Sequence, residues 1–193
     1  MLNPTYPRRA PAEVFWGEIA PFEHSVQIYA NEEIFLDALE GFVSSGLRAS
    51  DGMVVIATPA HRRALEQRLR NRGFDVDLAQ AEDRYIALDA AETLAKFMVN
   101  GWPDDERFNQ VVTDLITRAR GNGRRVRAFG EMVALLWDQG NSGATVRLEV
   151  LWNKFCEAET FCLFCAYPET GFTKETPVSI NEICGHHSRL INV

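Results

Sequence analysis

Short, wholly apolar runs that alternate with longer amphipathic stretches constrain this chain more tightly than any other feature of its sequence. The plainest run is Met53-Val-Val-Ile-Ala-Thr58, with no polar residue before its last position, which suits a strand buried on both faces of a parallel sheet. Thr58 and Pro59 then supply an N-cap and a first helical residue. The helix that follows turns Leu65 and Leu69 inward, pairs Glu66 with Arg70 one turn on, and stops at Gly73. Further strands are expected at Ser25 to Tyr29, Tyr85 to Leu88, Arg125 to Phe129 and Phe161 to Tyr167. Such alternation specifies an α/β fold: a single three-layer domain with a mostly parallel central sheet flanked by helices.

The other helices follow from spacing and caps. Asn31 caps a helix carrying Phe35, Leu39, Phe42 and Val43. Asp89 and Glu92 open one through Leu94, Phe97 and Met98, which Gly101-Trp-Pro103 breaks. Asp104 to Arg120 places Phe108, Val111, Val112, Leu115, Ile116 and Ala119 on one face, and shorter helices are expected at Val133 to Asp138 and Val146 to Phe155. Residues 1–13, with Pro4, Pro7 and Pro11, are expected to form an irregular arm, 14–176 the α/β domain, and 177–193 a helical tail. On that tail Ile180, Ile183, His187, Leu190 and Ile191 share one helical face, which docks on the core or continues into a partner.

Charge narrows the function classes. With 20 Lys+Arg against 27 Asp+Glu and a net charge of -7, the surface repels phosphate on average, so no direct nucleic-acid contact is expected. Arg118, Arg120, Arg124, Arg125 and Arg127 form the one basic cluster; the simpler account is a helix end and a strand entrance kept wet. No apolar run is long enough to cross a membrane, and none follows Arg8-Arg9 as a signal peptide would require, so a cytoplasmic protein with reduced cysteines is expected. Cys162 and Cys165 have metal-site spacing, but on a strand they point to opposite faces, so they read as core.

In an open parallel sheet, ligands bind at the carboxyl ends of the strands. The positions there are Tyr29, Asn31, Thr58 with His61, Asp89, Gly130-Glu131 and Tyr167. A phosphate-binding loop after the first strand needs glycines and a lysine, whereas Tyr29-Ala-Asn-Glu-Glu33 offers neither and adds two carboxylates.

Several segments together resemble the MEDS domain, a sensory family of methanogen and methylotroph regulators that includes the dichloromethane-responsive repressor. They are His24-Ser-Val-Gln-Ile-Tyr29, Gly46-Leu47 with Asp51-Gly52, Ile56-Ala-Thr58, Arg127-Ala-Phe-Gly-Glu-Met132, Leu148-Glu-Val-Leu-Trp-Asn153, Cys165-Ala-Tyr167 and Ile183-Cys-Gly-His-His-Ser188. The resemblance implies a fold like the RecA/KaiC ATPase core with its phosphate loop lost, and a role in sensing small hydrocarbon-like compounds or in signal transduction. Relatives often carry a histidine-kinase or DNA-binding output segment; this chain is then a stand-alone sensor acting through a kinase or transcription regulator, or a fragment, and a homodimer is one arrangement it would use.

The expected ligand-binding residues are His24, Tyr29, Asn31, Thr58, His61, Glu131, Trp152 and Tyr167, with Trp152, Trp137 and Phe155 as an apolar wall. No residue is assigned a catalytic role, no cofactor is named, and no metal site is expected: Cys184 and His187 share a helical face but need a third ligand such as His24 or Cys156. The expectation is a non-catalytic sensor binding a small molecule or a partner regulator at the carboxyl edge, with the terminal helix as the moving element. The rival is a degenerate nucleotide enzyme with Glu131 as its catalytic carboxylate and an arginine gripping phosphate.

Overall fold

The computed structural model describes residues 16, 17, 19–171, 185 and 187–191. The chain runs β1 (His24–Tyr29), α1 (Glu32–Arg48), β2 (Gly52–Ala57), α2 (Pro59–Asn71), α3 (Val76–Ala81), β3 (Tyr85–Asp89) and α4 (Ala90–Ala95). It continues through β4 (Met98–Val99), β5 (Trp102–Pro103), α5 (Asp105–Arg120), β6 (Val126–Gly130), α6 (Met132–Asp138), α7 (Ser142–Glu159), β7 (Cys162–Pro168) and β8 (Arg189–Ile191). Six strands form one parallel sheet in the order β3-β2-β6-β7-β1-β8. The α/β expectation from alternation is met.

Period-two alternation divides each strand between two cores. Val26, Val54, Ile56, Ala128 and Leu163 face Phe108, Leu115, Leu148 and Trp152 on α5 and α7. Met53, Val55, Phe129 and Phe164 face Phe35, Leu39 and Phe42 on α1 and Leu65 and Leu69 on α2. Each fully buried Leu or Phe contributes about 1.5–3 kcal/mol, so the two slabs hold the sheet from both sides. Helix starts are secured by Asn31, Thr58, Asp89 and Asp104, whose side chains accept the backbone N–H three residues on. Gly52 is required by close approach: a Cβ there would stand 2.1 Å from the Ala119 carbonyl oxygen of α5.

Two expectations are corrected and one element is added. The tail is not helical at its end: residues 189–191 form β8, pairing Ser25 with Arg189, Val26 with Leu190 and Gln27 with Ile191. Without it β1 would be an edge strand with one row of unpaired backbone groups, and that pairing outweighs the helical spacing of Leu190 and Ile191. The helix after Asp89 ends at Ala95, before Phe97 and Met98, because β4 and β5 fold back over Asn100 and Gly101, both at positive φ. The short helix α3, which the sequence reading left out, lies between α2 and β3. The arm over residues 1–13, and Ile180, Ile183 and Cys184 of the tail, lie outside the described residues.

The basic cluster disperses. Arg118 bonds Asp83 at 2.6 Å, Arg120 pairs with Glu159 at 3.3 Å, Arg124 donates to the Glu82 carbonyl and Arg125 to that of Ile19. Arg127 is buried, donating to Asp51 Oδ2 at 2.7 Å, the Trp16 carbonyl at 2.8 Å and Ser45 Oγ at 3.1 Å. Among the described residues no helix is long and apolar enough to cross a membrane.

Candidate functional site

Two constellations of polar residues lie beside the sheet. The first lies at the carboxyl ends of β1, β2 and β6. Glu131, the residue after β6, accepts the Thr58 backbone N–H at Oε2, 2.7 Å away, and faces His61 Nδ1 at 2.7 Å from Oε1. As a carboxylate only accepts, the ring donates. His61 stands there because Thr58 starts α2 and puts it in the first turn; its Nε2 faces Glu32 at 3.2 Å. The Glu131 hydrogen bond is the main cause that raises the His61 pKa, against partial burial that lowers it. Tyr29 stacks on Phe35 with ring centroids 4.9 Å apart, and Phe35 meets the His61 ring edge-on at 4.9 Å. Burial, then the charges of Glu131 and Glu32, push the Tyr29 phenol up to about 12. The edge thus presents an aromatic ledge beside a carboxylate whose oxygens are both engaged.

The second constellation lies on the α7 side of the sheet. Glu149 of α7 is fully buried, with a relative exposure of 0%. The Tyr167 hydroxyl donates to its Oε1, while Oε2 is 3.6 Å from His24 Nε2, 3.5 Å from His187 Nε2 and 3.9 Å from Cys165 Sγ. His24 Nε2 is 3.5 Å from Cys165 Sγ, and the two imidazole centroids are 4.0 Å apart. Burial first, then Glu149, pushes the Cys165 thiol well above the ordinary thiol range. A cavity of about 250 Å³ opens at the amino end of β1 between Ala20–Glu23 and Ser188–Arg189, next in sequence to His24 and His187.

The expected ligand residues divide between these places. Tyr29, Thr58, His61 and Glu131 come together at the carboxyl edge, whereas Asn31 there is occupied in capping α1 through Ile34 N at 3.0 Å. His24 and Tyr167 belong to the buried constellation. Trp152 is core, edge-on to Phe108 at 5.0 Å, and its indole N–H has no hydrogen-bond partner among the described residues. Cys162 and Cys165 do fall on opposite sides of the sheet. Both are buried in the core as expected, and Cys165 lies on the side that carries His24. Cys156 donates instead to the Phe161 carbonyl at 3.7 Å.

Sequence reasoning missed Glu149, although a signal was present. It lies on the stripe Thr145, Glu149, Trp152, Cys156, all buried, as the one carboxylate on an otherwise inward face. Glu32 was overlooked as a neighbour of His61 because its role depends on α1 and α2 meeting.

The fold is shared with solved proteins. A KaiC-like protein from the hyperthermophilic archaeon Pyrococcus horikoshii OT3 superposes with a TM-score of 0.58 at 10% identity, covering 84% of this chain and 70% of that one. A second Pyrococcus horikoshii OT3 structure gives a TM-score of 0.58 at 10% identity, covering 94% of this chain and 86% of that one. At such identity the likeness concerns fold alone. No curated protein sequence matches the chain significantly. A family profile, the methanogen/methylotroph DcmR sensory domain, matches residues 23–188, a span that contains both constellations. The chain belongs to the MEDS family of sensory domains.

Proposed function

We propose that this MEDS domain is a non-catalytic cytoplasmic sensor that takes a small, uncharged organic ligand of hydrocarbon-like character on the ledge formed by Tyr29, His61 and Glu131. It passes its state to a kinase or transcription regulator. The observation that carries this reading is the state of the β1 to α1 turn. Asn31 caps the helix end that a phosphate would otherwise occupy, and Glu32 and Glu33 fill its first turn, Glu33 paired with Arg68 and Glu32 facing His61, so a triphosphate would meet the Glu32 carboxylate beside Glu131. Aromatic faces next to a hydrogen-bonded acid suit a compact neutral molecule.

The test is a thermal-shift series with chlorinated and methylated one-carbon compounds, beside magnesium-ATP, on the wild type and on His61→Ala. Stabilisation by a neutral compound that the variant loses supports the reading. ATP turnover that disappears in Glu131→Gln would replace it with the nucleotide-enzyme alternative. Absence of any shift, with a stable regulator complex, would leave the edge as a protein-docking surface.

A further inference from the structure

Four side chains of metal-ligating type converge from four parts of the fold: His24 from β1, Glu149 from α7, Cys165 from β7, and His187 from the segment leading into β8. We propose that these four form a binding site for one divalent transition-metal ion of the zinc class, and that loading it fastens the β8 segment to the sheet.

Geometry carries the inference furthest. A tetrahedral centre with metal–nitrogen and metal–oxygen bonds of about 2.0 Å and a metal–sulfur bond of about 2.3 Å has ligand-to-ligand edges of about 3.3–3.6 Å. The separations here are 3.5 Å for His24 to Cys165, 3.6 Å for His24 to Glu149, 3.5 Å for His187 to Glu149 and 3.9 Å for Cys165 to Glu149. All six separations among the four ligand atoms lie within 4.8 Å, so the four pairs given above already stand near tetrahedral edges and the remaining pairs close onto an ion by shifts of about 1 Å or less.

Donor chemistry selects the ion. Two imidazoles and a thiol favour borderline divalent metals over magnesium or calcium, which take oxygen ligands. Charge balance agrees: the two positive charges of the ion match one thiolate and one carboxylate, so a loaded centre is neutral where Glu149 has no access to water. On loading, the Cys165 S–H bond is replaced by a sulfur–metal bond, the proton leaves to solvent, and the metal keeps its oxidation state. The Tyr167 hydroxyl, bonded to the other oxygen of Glu149, is the outer partner that orients a ligating carboxylate. Glu23 and Ser188, the chain neighbours of His24 and His187, line the adjoining cavity and give an approach from solvent.

The inference does not depend on the carboxyl-edge ligand, and its test reads a different signal. Chelator-treated full-length protein is titrated with Co²⁺. The expected result is one Co²⁺ per chain, with the intense visible bands of a tetrahedral site and a near-ultraviolet thiolate-to-cobalt charge-transfer band. That band should vanish in Cys165→Ser and persist in Cys156→Ser, whose thiol lies elsewhere. In competition with Zn²⁺, Tyr167→Phe should lower affinity about 10-fold or more at unchanged circular dichroism. Amide exchange at residues 189–191 should slow when metal is added. Failure of the wild type to take up one Co²⁺, or a charge-transfer band unchanged in Cys165→Ser, would overturn the proposal; the first outcome needs no variant to fold.

Discussion

Removing the carboxylate of Asp51 is the sharpest test of how Arg127 is used. Arg127 is only 1% exposed and Asp51 3%, and their 2.7 Å contact is the one ion pair either makes among the described residues. In Asp51→Ala the guanidinium keeps, among the described residues, the Trp16 carbonyl, the Ser45 hydroxyl and the face of the Phe42 ring at 5.9 Å, all neutral, in a buried site. Breaking one side of a buried ion pair costs about 3–5 kcal/mol, a fifth or more of the roughly 5–15 kcal/mol stability of a typical domain. For a chain of this size that corresponds to a fall in Tm of about 7–12 °C. Urea unfolding followed by tryptophan fluorescence and by circular dichroism measures it, because Trp16 lies against the same site. The double variant Arg127→Met with Asp51→Leu should recover much of the loss, since no charge is left unpaired. A loss below about 1 kcal/mol in Asp51→Ala, or a double variant worse than the single, would refute the view that Arg127 is a strut.

Other outcomes follow from single contacts. The His61 pKa is raised in the folded state, so the stability it contributes is full below the ordinary imidazole value of about 6.5 and disappears as pH rises through the folded value. The stability gap between wild type and Glu131→Gln should therefore be widest near pH 6 and narrow on going to pH 9, as read by chemical denaturation; a gap that widens would contradict the His61–Glu131 bond. Gly52→Ala drives a methyl group into the Ala119 carbonyl and should cost about 3 kcal/mol in the same assay. Ile191→Ala should cost about 2 kcal/mol and Leu190→Ala less than about 0.5, since β8 buries the first at 5% exposure and leaves the second at 48%. Equal losses would argue against a strand there.

Much of the framework was legible because it is local. The run Met53 to Ala57 suited a strand buried on both faces and is one, and Asn31, Thr58, Asp89 and Asp104 marked helix starts by a side chain that reaches three residues on. Strand parity separated Cys162 from Cys165, and the missing glycines after Tyr29 argued against a phosphate cradle. Asn100-Gly101 was also a readable hairpin signal, although the hydrophobic spacing through Phe97 and Met98 masked it.

The tertiary structure decided what depends on elements far apart in the chain. Residues 189–191 have helical spacing, yet they became a strand because β1 offered an unpaired edge, which no local pattern reveals. His24 and Cys165 are 141 residues apart in sequence, and they meet only because β1 and β7 are neighbours in register. Glu149 reads as one acid among many until α7 turns it onto that face of the sheet, and Arg127 as one basic residue among five until Asp51 folds against it. Periodicity and capping are properties of adjacent residues and survive in the sequence; convergence of side chains on one point is a property of packing, and exists only once the sheet has assembled.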